Sequence, residues 1–213
     1  MKLGDIKLEA LKLMFANENE DIGIEQLPDL PGSEAYGQYL IGMVGSINRC
    51  FADLEGRGIL PTKAFLLPRC TGPWSARLFR FDLQALIPDY FSLERLIYET
   101  DDFSCADEGI AFRAEEAVLR LPWFDGARER YRVIYRPRLP RIFPYTAEDT
   151  ELPIPDDIAA FIPYWIKGEL FREDEPNEAG EARNWYEDAM SRAAVQHSRR
   201  DGKVMSIFAM TEV

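Results

Sequence analysis

Residues 36–54 constrain this chain more than any other stretch. Tyr36, Tyr39, Leu40, Met43, Val44, Ile47, Cys50, Phe51 and Leu54 follow one another at gaps of three, one, three, one, three, three, one and three. That spacing is one face of a helix, sustained over about five turns. Ser33 is placed to cap its start, because a hydroxyl can take up a free backbone N–H there. Gly56 and Gly58 are placed to stop it, because glycine accepts the left-handed conformation that ends helices. Gly37, Gly42 and Gly45 lie inside, where each costs roughly 1 kcal/mol against alanine. Those glycines predict a close approach by a neighbouring backbone. A core helix of a soluble domain satisfies the whole pattern.

The stripe needs partners, and the rest of the chain supplies two textures. Residues 3–16 read as a first helix, with Leu3, Ile6, Ala10, Leu13 and Met14 near one face and Lys2, Lys7, Glu9 and Lys12 near the other. Residues 17–31 (NENEDIGIEQLPDLP) are acidic, end in prolines and read as a loop. From 62 to 142 the pattern favours strands. Residues 63–67, 77–83, 96–99, 117–121 and 129–136 are the candidates. In the last of these Tyr131, Val133 and Tyr135 share a face. Residues 86–93 read as a turn or short helical loop, and Asp125-Gly126 as a hairpin turn. Residues 136–144 (RPRLPRIFP) carry too many prolines for a sheet interior and read as an extended exit.

Helical texture then returns. Pro155 opens a helix with the stripe Ile158, Phe161, Ile162, Trp165, Ile166 and Leu170, in which Pro163 should either cause a kink or displace a hydrogen bond. After the acidic turn 173–176 comes a last helix over 177–194. Its apolar face holds Ala179, Ala182, Trp185, Tyr186, Ala189, Met190 and Ala193. Residues 204–210 (VMSIFAM) read as a short terminal strand. Neither helical piece can bury its stripe alone. The expected fold is therefore α+β, a helical bundle (1–61 plus 145–195) with an inserted antiparallel β-sandwich or barrel-like domain (62–144). A C-terminal arm, 196–213, completes it.

Composition bounds the function. With 37 acidic residues against 25 Lys and Arg, the net charge is −12. That argues against general phosphate-backbone binding and against an anionic membrane surface. It does not exclude a wall that repels DNA, so that DNA would slide along it and not stick. Cys50, Cys70 and Cys105 are widely spaced and odd in number, and read as free thiols in a reducing compartment. No long apolar run follows Met1, so neither a signal peptide nor a membrane span is expected. The single histidine, His197, lies in a polar stretch unsuited to a triad or metal site. The pairs Asp101-Asp102 and Glu115-Glu116 read as solvated turns. No phosphate loop or dinucleotide fingerprint occurs. No catalytic residue, cofactor or metal is expected. Basic residues concentrate at Arg128, Arg130, Arg132, Arg136, Arg138 and Arg141, and again at Arg199, Arg200 and Lys203. They read as a solvated face, as contacts with acidic patches on a neighbouring subunit, or as a nucleic-acid contact.

Three segments together resemble a known family. They are 39–61 (YLIGMVGSINRCFADLEGRGILP), 135–142 (YRPRLPRI) and 152–185 (LPIPDDIAAFIPYWIKGELFREDEPNEAGEARNWY). The last is a proline-acidic start, an aromatic-rich helix, an acidic EDEP turn and an alanine-rich helix carrying Arg183 and Tyr186. It resembles the C-terminal half of head–tail adaptor (connector) proteins of tailed phages. The resemblance implies a non-enzymatic virion protein of the neck, made in the host bacterial cytoplasm. It implies a homo-oligomeric ring, often of twelve copies, that binds the portal above and a tail or stopper protein below. DNA passes through the lumen without specific binding, and no membrane is involved. Arg199, Arg200, Lys203, Val204, Met205, Ile207 and Phe208, together with Arg136, Arg138 and Arg141, are the expected contacts with subunits or partners. A tail or baseplate component with a partner- or saccharide-binding sandwich is the alternative.

Overall fold

The computed structural model describes residues 1–15, 27, 32, 36–68, 78–100, 104–106, 113–115, 117–122 and 129–208; at 78, 99–100, 104–106, 113–115, 122, 129 and 197–208 it describes backbone alone. The chain divides into two units, one formed by Met1–Ile59 with Pro140–Val213 and the other by Leu60–Leu139. The first is helical among the described residues and the second carries the sheets, which makes the protein mixed α and β.

The helical unit contains α1 (Leu3–Met14), α2 (Gly37–Arg57), α4 (Asp156–Ala159), α5 (Ile162–Leu170) and α6 (Pro176–Phe208). α1 is buried almost all round, through Leu3, Ile6, Leu8, Ala10, Leu11 and Met14. Lys7 is buried with them, not on a polar face as its sequence position suggests. Its ammonium lies 2.6 Å from Glu148 Oε1, which compensates the charge. α2 follows the expected stripe, with Leu40, Met43, Ile47, Cys50, Phe51 and Leu54 buried. Its N-cap is Tyr36, and Ser33 lies outside the described residues. Gly56 stays helical, while Gly58 is the left-handed cap at φ 65°.

Both α1 and α2 pack on α5, and α5 packs on α6. Two helical portions more than a hundred residues apart in sequence thus close over one interior. The glycines behave differently from expectation. At Gly42 the near neighbour is a side chain, with Leu170 Cδ2 2.9 Å from where a Cβ would sit. Backbone-to-backbone approach occurs instead at Gly168 of α5, where a Cβ would meet Ala179 O at 3.2 Å and Arg183 N at 3.4 Å. Pro163 does not kink a helix. It occupies the first turn of α5, separating it from α4. A residue without an N–H costs nothing there, because first-turn donors have no intrahelical partner.

α6 is much longer than the expected 177–194 and runs without a break to Phe208. The expected terminal strand is therefore a helix over 204–208, and 209–213 lie outside the described residues. Val204, Met205, Ile207 and Phe208 stand at spacings that fit a helix as readily as a short strand, so the sequence alone could not arbitrate. Trp185 is also corrected. It is 58% exposed, whereas Tyr186 next to it is fully buried.

The second unit holds two antiparallel sheets. β1 (Lys63–Leu66), β7 (Glu129–Pro137), β3 (Tyr90–Thr100) and β4 (Ser104–Ala106) form one, in that order. β2 (Leu78–Asp82), β6 (Val118–Pro122) and β5 (Arg113–Glu115) form the other. α3 (Leu83–Leu86) follows β2 directly, capped by Asp82 Oδ1 accepting from Ala85 N–H at 3.1 Å. β6 and β7 are consecutive yet lie in different sheets, and the expected turn at Asp125-Gly126 lies outside the described residues. β3 starts at Tyr90, within the stretch read as a turn or helical loop. Phe81, Leu96, Leu119, Leu121, Tyr131, Val133 and Tyr135, drawn from both sheets, belong to one hydrophobic cluster. Among the described residues neither sheet closes into a barrel.

Candidate interaction surfaces

Four helical residues build a polar network inside the helical unit. Asp53 and Arg57 stand one turn apart on α2, with Arg57 Nε 2.6 Å from Asp53 Oδ2. Tyr186 of α6 donates its hydroxyl to the same Oδ2 at 2.8 Å, and Arg57 Nη2 reaches Glu187 at 2.9 Å. Arg183 lays its guanidinium 3.7 Å from the Trp165 ring centroid. The Cys50 thiol approaches the Tyr186 hydroxyl at 3.7 Å. Burial pushes that thiol up to about 12, so it stays protonated near neutral pH and is a poor nucleophile. Burial, and after it the neighbouring Cys50 and Asp53, raises the Tyr186 phenol strongly as well. These groups lock α6 onto α2. The spacings Asp53/Arg57 and Arg183/Glu187 are ordinary i,i+4 pairs. That was the available signal, but nothing in the sequence said that the two pairs would meet.

A second clamp forms where the chain returns from the sheets. Asn48 of α2 donates to the Ile142 carbonyl at 2.8 Å and accepts the Ile142 N–H at 2.9 Å. Beyond it, Phe143 and Tyr145 stack at 5.3 Å with Arg141 over Phe143, and Tyr145 is 82% exposed.

The three exit arginines fall into separate environments. Arg136 on β7 has its Nε 2.6 Å from Glu94 Oε2 of β3 and is paired within its own unit. Arg138 donates its backbone N–H to Asp89 O at 2.6 Å, while its exposed guanidinium lies 5.8 Å from the Phe91 ring centroid. Arg141 belongs to the helical unit. Arg199, Arg200, Lys203, Val204, Met205, Ile207 and Phe208 all lie on the continued α6, where only the backbone is described. His197, Asp101, Asp102, Glu115 and Glu116 lie outside the described side chains.

Arg138 also lines a shallow cleft of about 410 Å³ with Gln84, Tyr90, Phe91, Ser92 and Leu93. β3 slips register against β7 twice beside this cleft, between Tyr90 and Ser92 and between Leu93 and Arg95. Phe91 and Glu94 are the extra residues, and bulges of this kind re-aim side chains at functional edges. Sequence reasoning missed the cleft because a bulge breaks the alternation by which strands are read.

Among the described residues no group of His, Cys, Asp and Glu is arranged to hold a metal ion, and no helix is long and apolar enough to cross a membrane. No protein-family model matches the chain, and a search of curated proteins found no match.

Proposed function

We propose that this chain is a structural subunit of a tailed-phage neck, a head–tail adaptor that assembles into a ring between portal and tail and does no chemistry. The observation that carries the reading is the packing of α2 and α1 on α5, and of α5 on α6. A helical body built from both ends of the chain, with the sheets inserted between, is the arrangement the resemblance implies. Its close backbone approach at Gly168 and its internal ion-pair network favour a rigid wall for lateral packing. The net charge of −12 favours a lumen that DNA slides past without sticking. The single hydrophobic cluster shared by the two sheets favours an antiparallel sandwich as the inserted domain.

In this reading the end of α6, with Arg199, Arg200, Lys203, Val204, Met205, Ile207 and Phe208, meets a neighbouring subunit or the portal as a helix. A helix end presents a face to a groove, whereas a strand would have added to a sheet edge. Arg141 and the exposed Tyr145 are further contacts. Light scattering of the purified chain, alone and with its portal, tests the assembly. A large symmetric oligomer is expected in the mixture. Removal of 202–213 should shorten α6 by the residues removed and leave the melting midpoint unchanged, while weakening that oligomer. A chain that stays monomeric with portal present, or a truncated chain that assembles normally, overturns the reading.

The cleft beside Phe91 and Arg138 favours a second reading, a tail or baseplate component whose β unit binds a partner. Size measurement separates the two, since that role does not require a ring.

A further inference from the structure

The start of β3 combines three features. The first is an open edge. β4 pairs only with Ile97, Tyr98 and Glu99, so among the described residues the other flank of 90–96 has no strand beside it. Backbone donors and acceptors on such a flank can take an added strand. The second is the bulge at Phe91, which leaves an aromatic ring partly exposed at the mouth of the cleft. The third is Arg138. Its guanidinium rests on that ring, and no carboxylate among the described residues pairs with it. A cation held by an aromatic face, with no carboxylate beside it among the described residues, can offer its fork of N–H donors to an incoming anion. Gln84 and Ser92 add neutral hydrogen-bonding groups to the same cleft.

We infer that this cleft docks an extended acidic peptide segment of a partner protein. The peptide backbone pairs with the open flank of β3, and one carboxylate is taken by Arg138 beside Phe91. A volume of about 410 Å³ suits a few residues of such a segment. The rival anion, a nucleic-acid strand, has no alternating N–H and C=O groups to offer the edge. The two bulges narrow the interaction further, because a bent edge resists unlimited strand addition and admits only a short segment. The inference does not depend on whether the protein forms a ring.

The test uses the full chain and a fluorescein-labelled eight-residue peptide alternating valine with glutamate. Its binding is followed by anisotropy and by hydrogen exchange of the protein's backbone amides. The expected result is saturable binding, slowed exchange within 90–96, and affinity about tenfold weaker for Arg138→Gln, the usual effect of losing one charge-assisted contact. Arg141→Gln, in the other unit, should bind as the parent does. The inference is overturned by equal affinity of Arg138→Gln, by equal binding of a valine–lysine peptide, or by unchanged exchange at 90–96. Tighter binding of oligothymidylate than of the acidic peptide would assign the cleft to nucleic acid and overturn it too. The exchange measurement is made on the parent protein, so it decides the matter even where a variant folds poorly.

Discussion

The hydroxyl of Tyr186 donates to Asp53 Oδ2 at 2.8 Å, and the same oxygen holds Arg57 Nε at 2.6 Å. One carboxylate thus joins α6 to α2 from the inside of the helical unit, with Trp165 edge-on to the tyrosine ring at 5.0 Å. Tyr186 is where aromatic burial and polar satisfaction coincide.

Tyr186→Ala should therefore destabilise the protein by about 3–5 kcal/mol, as large aromatic truncations in cores do. Tyr186→Phe keeps the ring and should cost only about 1–2 kcal/mol for the lost hydrogen bond. Trp185→Ala, next door but 58% exposed, should stay within about 0.5 kcal/mol. Urea unfolding of the three variants gives the ranking. A Trp185→Ala variant as weak as Tyr186→Ala would show that the register of α6 is wrong.

Two glycines in the same helix pair should respond with opposite signs. A methyl at Gly168 meets backbone atoms of α6 at 3.2 and 3.4 Å, and neither can move without shifting the helix. Gly168→Ala should lose about 1–3 kcal/mol by overpacking. Nothing lies within 4 Å of a methyl at Gly180, so Gly180→Ala should gain up to about 1 kcal/mol of helix propensity. Thermal melts of both variants settle the comparison, and a stabilised Gly168→Ala would contradict the close packing of α5 on α6.

The Lys7–Glu148 pair offers a test of burial. Lys7 is 5% exposed and its ammonium sits 2.6 Å from the carboxylate. Lys7→Ala strands Glu148 and should cost about 3 kcal/mol, the lower end for breaking a buried pair, since Glu148 is partly solvated. The double variant Lys7→Met with Glu148→Leu should come back close to the parent in chemical denaturation. A double variant no better than the single one would mean that the charges themselves, and not their mutual compensation, hold α1 in place.

In the β unit, Asp89 accepts from the Tyr135 hydroxyl at 2.9 Å and pairs with Lys63 at 2.6 Å. Burial, followed by the contact with Asp89, pushes the Tyr135 phenol from 10.0 up to about 12. Its contribution is full below pH 10 and is lost as pH rises toward about 12, because the unfolded chain ionises first. Asp89 runs the other way. Burial raises its carboxyl, but Lys63 and Tyr135 outweigh that and hold it below its ordinary 3.8, so its contribution is lost as pH falls through that value and beneath it. The stability difference between the parent and Tyr135→Phe should shrink between pH 10 and pH 12. A difference that stays constant across that range would break the link between the phenol and the fold.

Periodicity made some elements fully legible. Most of the α2 stripe and the alternation of Tyr131, Val133 and Tyr135 in β7 are buried where their spacing puts them, although Tyr39 and Val44 are only half-buried. The helices-strands-helices order of the chain was legible too, because each texture is written in a run long enough to average out exceptions. Lys7 was not, since a lone lysine reads as solvent-facing unless its carboxylate partner, 141 residues away, is known to stand beside it. Asn48 was missed for the same reason. A polar residue flanking a hydrophobic stripe is ordinary, and only the returning chain at Ile142 gives it two partners.

By itself the sequence determined which segments are helices or strands over most of their length, and which broad face of each is apolar. Spacing records the angle between neighbouring side chains, and that angle is a property of one element. Only the tertiary structure decided that Tyr186 and not Trp185 turns inward, that the backbones meet at Gly168, that β6 and β7 part into different sheets, and that Arg138 stands over Phe91. Each of those depends on which element lies opposite, and that depends on atoms brought together from distant parts of the chain.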